Sequence, residues 1–424
     1  MKKILLAGAI LALAAYCVLL VVFTASPIRF YGDGTWFPLP CDMKLVVAEN
    51  ECLLKGVDPY DVFKEKVKLS GYISQYPSSS VQVDDAATEM CVGVNPPWVY
   101  TAFMPFCLLS HRGASVAWFC IKFLCLGVLL LCGVKIARRM GRDKEDSLIV
   151  GVLSVLAIAL PAFQDFLSMN WALVTVVAAM LMAACLNSGH DILAGVCWAF
   201  VMLKPQIGLA FAIPLVMMGR FKTCLAAVAT CFAASIPPAL MCGKSPVEMV
   251  LAISGAYTRD YWGCGTMPHF LVDILSQGPA IPLGLVVGAI ICAFMVWMMR
   301  KEKDWFFLLM PVAACSVTWT HARCYSHVMY WFFFVSLAIT LIRYPRSKTV
   351  WCIAVLSVLL PTRLWNLFHI LPETIPSVFP VLMASEKWHY HIDALNSSLD
   401  LALVFWFCWV YSHMRRSTKD SKGR

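Results

Sequence analysis

The chain has 424 residues, of which 60% are apolar and 14% charged, and its mean hydropathy is +0.74. Ordinary globular chains are about 45–50% apolar, and so few charged groups do not cover that much apolar surface in water, so a lipid bilayer is the solvent for most of this chain. A soluble enzyme, a nucleic-acid binder and a disordered protein are excluded, and the net charge of +9 carries information through where each Lys and Arg falls rather than through its sum.

Apolar segments of spanning character fall at 4–24, 114–136, 147–163, 171–186, 191–203, 205–218, 223–242, 281–299, 305–319, 327–342, 349–366 and 399–413. They predict an all-α polytopic membrane protein of about 12 transmembrane helices, one integral membrane domain over 1–424. Met1-Lys2-Lys3 before the first segment is like the start of a secretory signal. The apolar run continues to Phe23, however, and Tyr16 stands before Cys17 where a lipoprotein needs a small residue, so an uncleaved signal anchor is expected.

With Met1 in the cytoplasm, the basic groups at Lys2-Lys3, Lys135 to Lys144, Arg220 and Lys222, Arg300 to Lys303, Arg343 to Lys348 and the tail 415–424 share that side. They hold most of the 34 Lys and Arg, while most of the 25 Asp and Glu fall elsewhere. Both termini are therefore expected in the cytoplasm. Only the turn from Asn187 to His190 has no Lys or Arg. The short basic start and compact loops point to a bacterial inner membrane.

The long hydrophilic stretch 25–113 then lies outside, as do shorter loops at about 243–280 and 367–398. Within the first, 42–54 reads as a helix. Residues 96–110 read as an apolar helix lying in the interface, since a span there would put Arg138, Arg139 and Arg142 outside. Internal repeats are not evident. Most of the 19 cysteines fall in apolar segments, where Cys behaves as a small apolar residue. Cys41, Cys52 and Cys91 lie outside, where an oxidising compartment would permit a disulfide among them without requiring one. No CxxC or HExxH spacing supports a metal site, and Asp84-Asp85 reads as a solvated acidic pair. Asn396-Ser397-Ser398 matches a glycosylation sequon, of little meaning in a bacterial cell.

An ionisable side chain at membrane depth is expensive, so it is paired or used. At the outer ends of the segments stand Asp42, the turn Asp58-Pro59-Tyr60-Asp61, Asn170, Lys204, Arg259, His321, Arg323 and Arg363. Lys122 lies within the second segment, placed to snorkel or to pair with a neighbour. A carboxylate such as Asp42 among several cations on one surface suggests a site for an anionic, lipid-borne substrate. Each residue has a plainer role in competition: an N-cap for Asp42, a hydrogen-bonded turn for Asp58 and Asp61, snorkelling for Lys204 and a satisfied boundary histidine for His321. Pro96-Pro97 and Trp98 are expected to seat the interfacial helix.

The run Asp42-Met43-Lys44-Leu45-Val46-Val47-Ala48-Glu49, followed by Gly56-Val57-Asp58-Pro59-Tyr60-Asp61, resembles the first outer loop of the GT-C glycosyltransferases of family 87. Asn95-Pro96-Pro97-Trp98, Leu203-Lys204-Pro205-Gln206 and Trp319-Thr320-His321 are similar to further motifs of that family in order and spacing. The resemblance covers roughly 1–345 and implies a GT-C-type bundle that takes a sugar, mannose first, from a polyprenyl-phosphate donor. The acceptor would be a glycolipid, an envelope glycan or a protein, and no cofactor or nucleic acid is implied. Asp42 and His321 take the catalytic roles, and Lys204, Arg259 and Arg323 the donor phosphate.

The chemistry is consistent with a single acid. A phosphate is a good leaving group and needs no general acid, so one carboxylate that accepts the acceptor's proton suffices, with inversion. A glycosidase needs a second, protonated carboxyl group. Fixed cations would meet the charge developing on phosphate. A transporter or flippase of lipid-linked sugars is the rival, although transporters gather polar groups near the midplane and show repeated halves.

Overall fold

The computed structural model describes residues 2–25, 41–63, 93, 95–256, 277–318, 324–359 and 398–414. These residues are helical, with no strand among them, as expected where lipid forces every backbone polar group to be satisfied within its own segment. In chain order the helices are α1 (Lys2–Ala25), α2 (Cys41–Leu54), α3 (Pro97–Cys107), α4 (His111–Arg139), α5 (Lys144–Ala157), α6 (Ala159–Ser168), α7 (Ala172–Asn187) and α8 (Asp191–Val201). They continue as α9 (Pro205–Met217), α10 (Phe221–Met241), α11 (Pro246–Ala256), α12 (Gln277–Met299), α13 (Trp305–Ser316), α14 (Trp331–Arg343, preceded by a 3-10 turn over Cys324–Tyr330), α15 (Lys348–Leu359) and α16 (398–414).

Among the described residues four helices are long and apolar enough to cross a bilayer: Lys2–Val22, Gly113–Arg139, Phe221–Met241 and Tyr325–Arg343. A fifth is the pair α5 and α6, bent by 51° at its junction. The sequence predicts one segment there, 147–163. Pro161 supplies no N–H to the first turn of α6 and the helix restarts at that point. The Tyr16 hydroxyl of α1 donates to the Ala159 carbonyl at the bend (2.7 Å). A second departure is α11, which occupies part of the expected loop 243–280. Ser245 and Glu248 form a reciprocal capping box (2.7 and 3.2 Å) and Pro246 opens the helix.

Contacts sort the helix ends into two sets. At one, Arg139 and Asn187 both donate to Asp304 (2.8 and 2.6 Å), Arg220 pairs with Asp191 (3.2 Å), and Lys2 pairs with Asp146 (2.8 Å). These draw in three of the basic groups noted above and the uncharged turn at Asn187. At the other end of α7, about 24 Å away for a helix of 16 residues, lie Asn170 and Trp171.

The largest core joins α4, α5, α7, α13, α14 and α16 and is rich in rings, with Phe306, Phe307, Trp331, Phe332 and Phe407 all fully buried. Trp331 donates from its indole to the Ser154 hydroxyl (3.1 Å), tying α14 to α5. Close approach at two glycines sets the helix spacing. A Cβ on Gly151 would stand 2.6 Å from Val134 Cγ2 of α4, and one on Gly195 would stand 2.5 Å from Ala226 Cβ of α10. Gly151→Ala and Gly195→Ala are each expected to cost about 1–3 kcal/mol by forcing the pair apart. Unfolding midpoints in detergent equal to that of the unmodified protein would contradict this packing.

Candidate active site

The site assembles on a second, smaller core: Met43, Val46 and Val47 of α2, Val99 and Phe103 of α3, Ala114 and Trp118 of α4, then Met169, Trp171 and Leu203. Phe103 lies between Trp118 and Trp171, 5.0 Å from each ring. This core joins the four segments that carry the polar candidates.

Asp42 lies in the first turn of α2, half-buried. Its Oδ2 accepts a hydrogen bond from Asn170 Nδ2 at 2.7 Å, 128 residues away in sequence. Asn170 occupies the turn between α6 and α7. There Met169 has φ of +50°, the left-handed value that costs a non-glycine residue about 1 kcal/mol or more. Several groups hold the strained turn. The Trp118 indole donates to the carbonyls of Met169 and Asn170 (3.2 and 3.3 Å), Asn170 N–H donates to the Asp165 carbonyl (3.2 Å), and Ala172 N–H donates to Asp165 Oδ1 (3.0 Å).

Asp165 also pairs with Lys122, Nζ to Oδ2 at 3.1 Å, with both side chains fully buried. Lys122 donates to the Asp165 backbone carbonyl as well. This ion pair answers which neighbour Lys122 meets. Asp165 is absent from the sequence-derived candidates. The signal for it is a lone cation in one apolar segment followed by a lone anion at the end of the next.

Lys204 stands at the break between α8 and α9. Its backbone is extended (φ −118°, ψ 87°), as the residue before a proline prefers. The side chain is almost fully buried. Its ammonium donates to the Ser326 hydroxyl (3.4 Å) and stands 4.3 Å from the Tyr325 ring centroid, a cation–π contact.

Asp58, Tyr60 and Asp61 form a separate cluster. Asp58 Oδ1 accepts from Tyr60 N–H (2.8 Å), Lys244 donates to both Asp58 and Asp61, and the Tyr60 hydroxyl donates to the Asn95 carbonyl. Asn95 Nδ2 in turn donates to Glu49 Oε2 (2.8 Å), and Glu49 is fully buried two helical turns beyond Asp42. Burial opposes the Lys244 ammonium, yet its hydrogen bonds to the two carboxylates outweigh that and raise its pKa above the ordinary 10.5. A raised base stabilises the fold in full below its unfolded pKa and loses that contribution as pH rises through the folded value. The destabilisation caused by Lys244→Gln is therefore expected to be constant across neutral pH and to shrink only above 10.5. Unfolding midpoints of the two proteins over a pH series check it.

Arg259, His321, Arg323 and Arg363 lie outside the described residues, as do Asp84-Asp85 and the side chains of Cys41 and Cys91. Cys52 is buried against Val62.

A profile of glycosyltransferase family 87 matches residues 94–321, more than half of the chain. The matched stretch contains Asn170, Lys204, Arg259 and His321, while Asp42 and the Asp58 turn precede it. No curated protein and no solved structure matches the chain. A bundle of apolar helices with a polar cluster at one end, matched by this profile, identifies the chain as a member of glycosyltransferase family 87, a membrane glycosyltransferase that moves a sugar from a donor to an acceptor.

Proposed function

We propose that the protein transfers a hexose, with mannose favoured by the family, from a polyprenyl-phosphate donor to a glycolipid, glycan or protein acceptor. Transfer is inverting and takes place at the extracytoplasmic face of a bacterial inner membrane. Twelve spans with both termini in the cytoplasm would put the Asp42 end of the bundle outside. One observation supports the proposal: a carboxylate and the backbone segment that carries a buried lysine, far apart in sequence, are tied together through Asn170 and Trp171. The tie runs from Asp42 Oδ2 to Asn170 Nδ2 (2.7 Å), from Asn170 Oδ1 to the Trp171 N–H (2.8 Å), and from the Trp171 indole to the Leu203 carbonyl (3.1 Å), beside Lys204.

In this mechanism Asp42 accepts the acceptor hydroxyl's proton as its oxygen forms a bond to the anomeric carbon. The bond from that carbon to the donor phosphate breaks on the opposite side. Asn170 holds one carboxylate oxygen and so fixes the direction in which the base faces. Lys204, whose ammonium meets Ser326 and Tyr325, would turn to a phosphate oxygen and meet the negative charge that builds on the leaving group. Arg259, Arg323 and His321 would complete the phosphate side and the reacting face.

The test is a proteoliposome assay with labelled polyprenyl-phosphate mannose and a lipid extract of the source membrane. Label is expected to reach an acceptor without ATP or an ion gradient. Transfer from a nucleotide sugar alone would refute the donor, and movement of intact lipid-linked sugar across the bilayer would favour a transporter.

A further inference from the structure

Pro205 has no N–H, and the helix cannot run through it, so the carbonyls at the last residue of α8 and just past it lose their usual partners. The three left over, those of Val201, Met202 and Leu203, each find a substitute, while the Lys204 carbonyl opens α9. Val201 accepts from Lys204 N–H (3.1 Å), and the Lys204 carbonyl accepts from Ile207 and Gly208 N–H (2.9 and 2.7 Å). The two between them are met from other elements: Met202 by the Trp98 indole of α3 (2.8 Å) and Leu203 by the Trp171 indole (3.1 Å). An orphaned buried carbonyl is destabilising, so these indoles hold the backbone path at Lys204.

Trp171 is placed to do more. Its backbone N–H donates to Asn170 Oδ1 (2.8 Å), which leaves the Asn170 amide group to donate to Asp42. Its ring is held against Phe103 at 5.0 Å. One rigid residue thus touches the segment that orients the carboxylate and the segment that carries the cation.

We propose that Trp171, seconded by Trp98, is a positioning residue that sets the Lys204 ammonium for a lipid phosphate and keeps it in register with Asp42. This rests on the donor class inferred above. A small displacement of a charge from its partner is enough to cost large factors in binding or rate, and Phe in place of Trp removes the N–H while keeping an aromatic ring.

The experiment measures binding of farnesyl monophosphate and of farnesol to the purified full-length protein, together with thermal unfolding. The unmodified protein is expected to prefer the phosphate, and Lys204→Met to lose that preference. Trp171→Phe is expected to weaken phosphate binding roughly 10-fold with farnesol binding unchanged, and to add nothing further in the Lys204→Met background. Trp351→Phe, which loses an indole hydrogen bond to the Pro345 carbonyl beyond the far end of α14, is expected to leave the phosphate preference intact. Should Trp171→Phe fail to fold, Trp98→Phe carries the same test through the Met202 carbonyl.

Phosphate binding by Trp171→Phe equal to that of the unmodified protein, with Lys204→Met still defective, would overturn the positioning role and leave the donor class standing. A Trp171→Phe loss that persists undiminished beside Lys204→Met would also overturn it, since the effect would then not pass through Lys204. Absence of any phosphate preference in the unmodified protein would overturn the donor class and this role together.

Discussion

Asp42→Asn is expected to lower sugar transfer by about 10²–10⁴-fold, the usual contribution of a positioned general base, without disturbing the fold. An amide has no capacity to take up the acceptor's proton, but its oxygen still accepts from Asn170 Nδ2, so the contact that seats the side chain survives. Initial rates of transfer from polyprenyl-phosphate mannose, with the unfolding midpoint measured alongside, separate the two effects. Full activity would remove Asp42 from the chemistry. Activity lost together with the fold would assign it to the first turn of α2 as a structural residue. Asn170→Ala, which frees the carboxylate to rotate, should fall between the two.

The largest effect on stability is expected at Lys122. Replacing it with Met leaves the fully buried Asp165 carboxylate without its counter-charge, and breaking a buried pair from one side costs about 3–5 kcal/mol. The loss should be recovered in large part by changing the partner too, and which second residue is used matters. Asp165 Oδ1 also accepts from Ala172 N–H (3.0 Å), so Asp165→Asn keeps an acceptor where Asp165→Leu strands a buried donor at a further cost of about 1–3 kcal/mol. The expected order of stability is the unmodified protein, then Lys122→Met with Asp165→Asn, then Lys122→Met with Asp165→Leu, then Lys122→Met alone. Thermal unfolding in one detergent ranks them. A Lys122→Met protein as stable as the unmodified one would mean that the pair does not hold the 165–172 turn.

That turn shows where reading along the chain stops. The helix 42–54, the break at Lys204-Pro205 and the apolar run after Pro96 are all visible in the residues, because each depends on local properties: apolar length, a proline, a change from polar to apolar neighbours. Met169 in a left-handed conformation is not visible, because nothing in Ser168-Met169-Asn170 demands it. The demand comes from Trp118 on α4 and from Asp165, which hold the turn through its carbonyls and N–H groups. Glu49 is hidden in the same way. Nothing in the helix 42–54 marks it as buried; in the fold it is enclosed and accepts from Asn95, just before α3.

The chain alone established that lipid is the solvent, that the structure is helical and that a few ionisable groups stand out, since a bilayer permits little else for apolar runs of that length and makes every charge conspicuous. Partnership came only with folding. Asp42 and Asn170 are 128 residues apart, Lys122 and Asp165 are 43 apart, and Trp171 and Leu203 are 32 apart. Hydrogen bonds and ion pairs act over about 3 Å, so which groups meet is set by how helices pack, and packing depends on the shapes of many side chains at once.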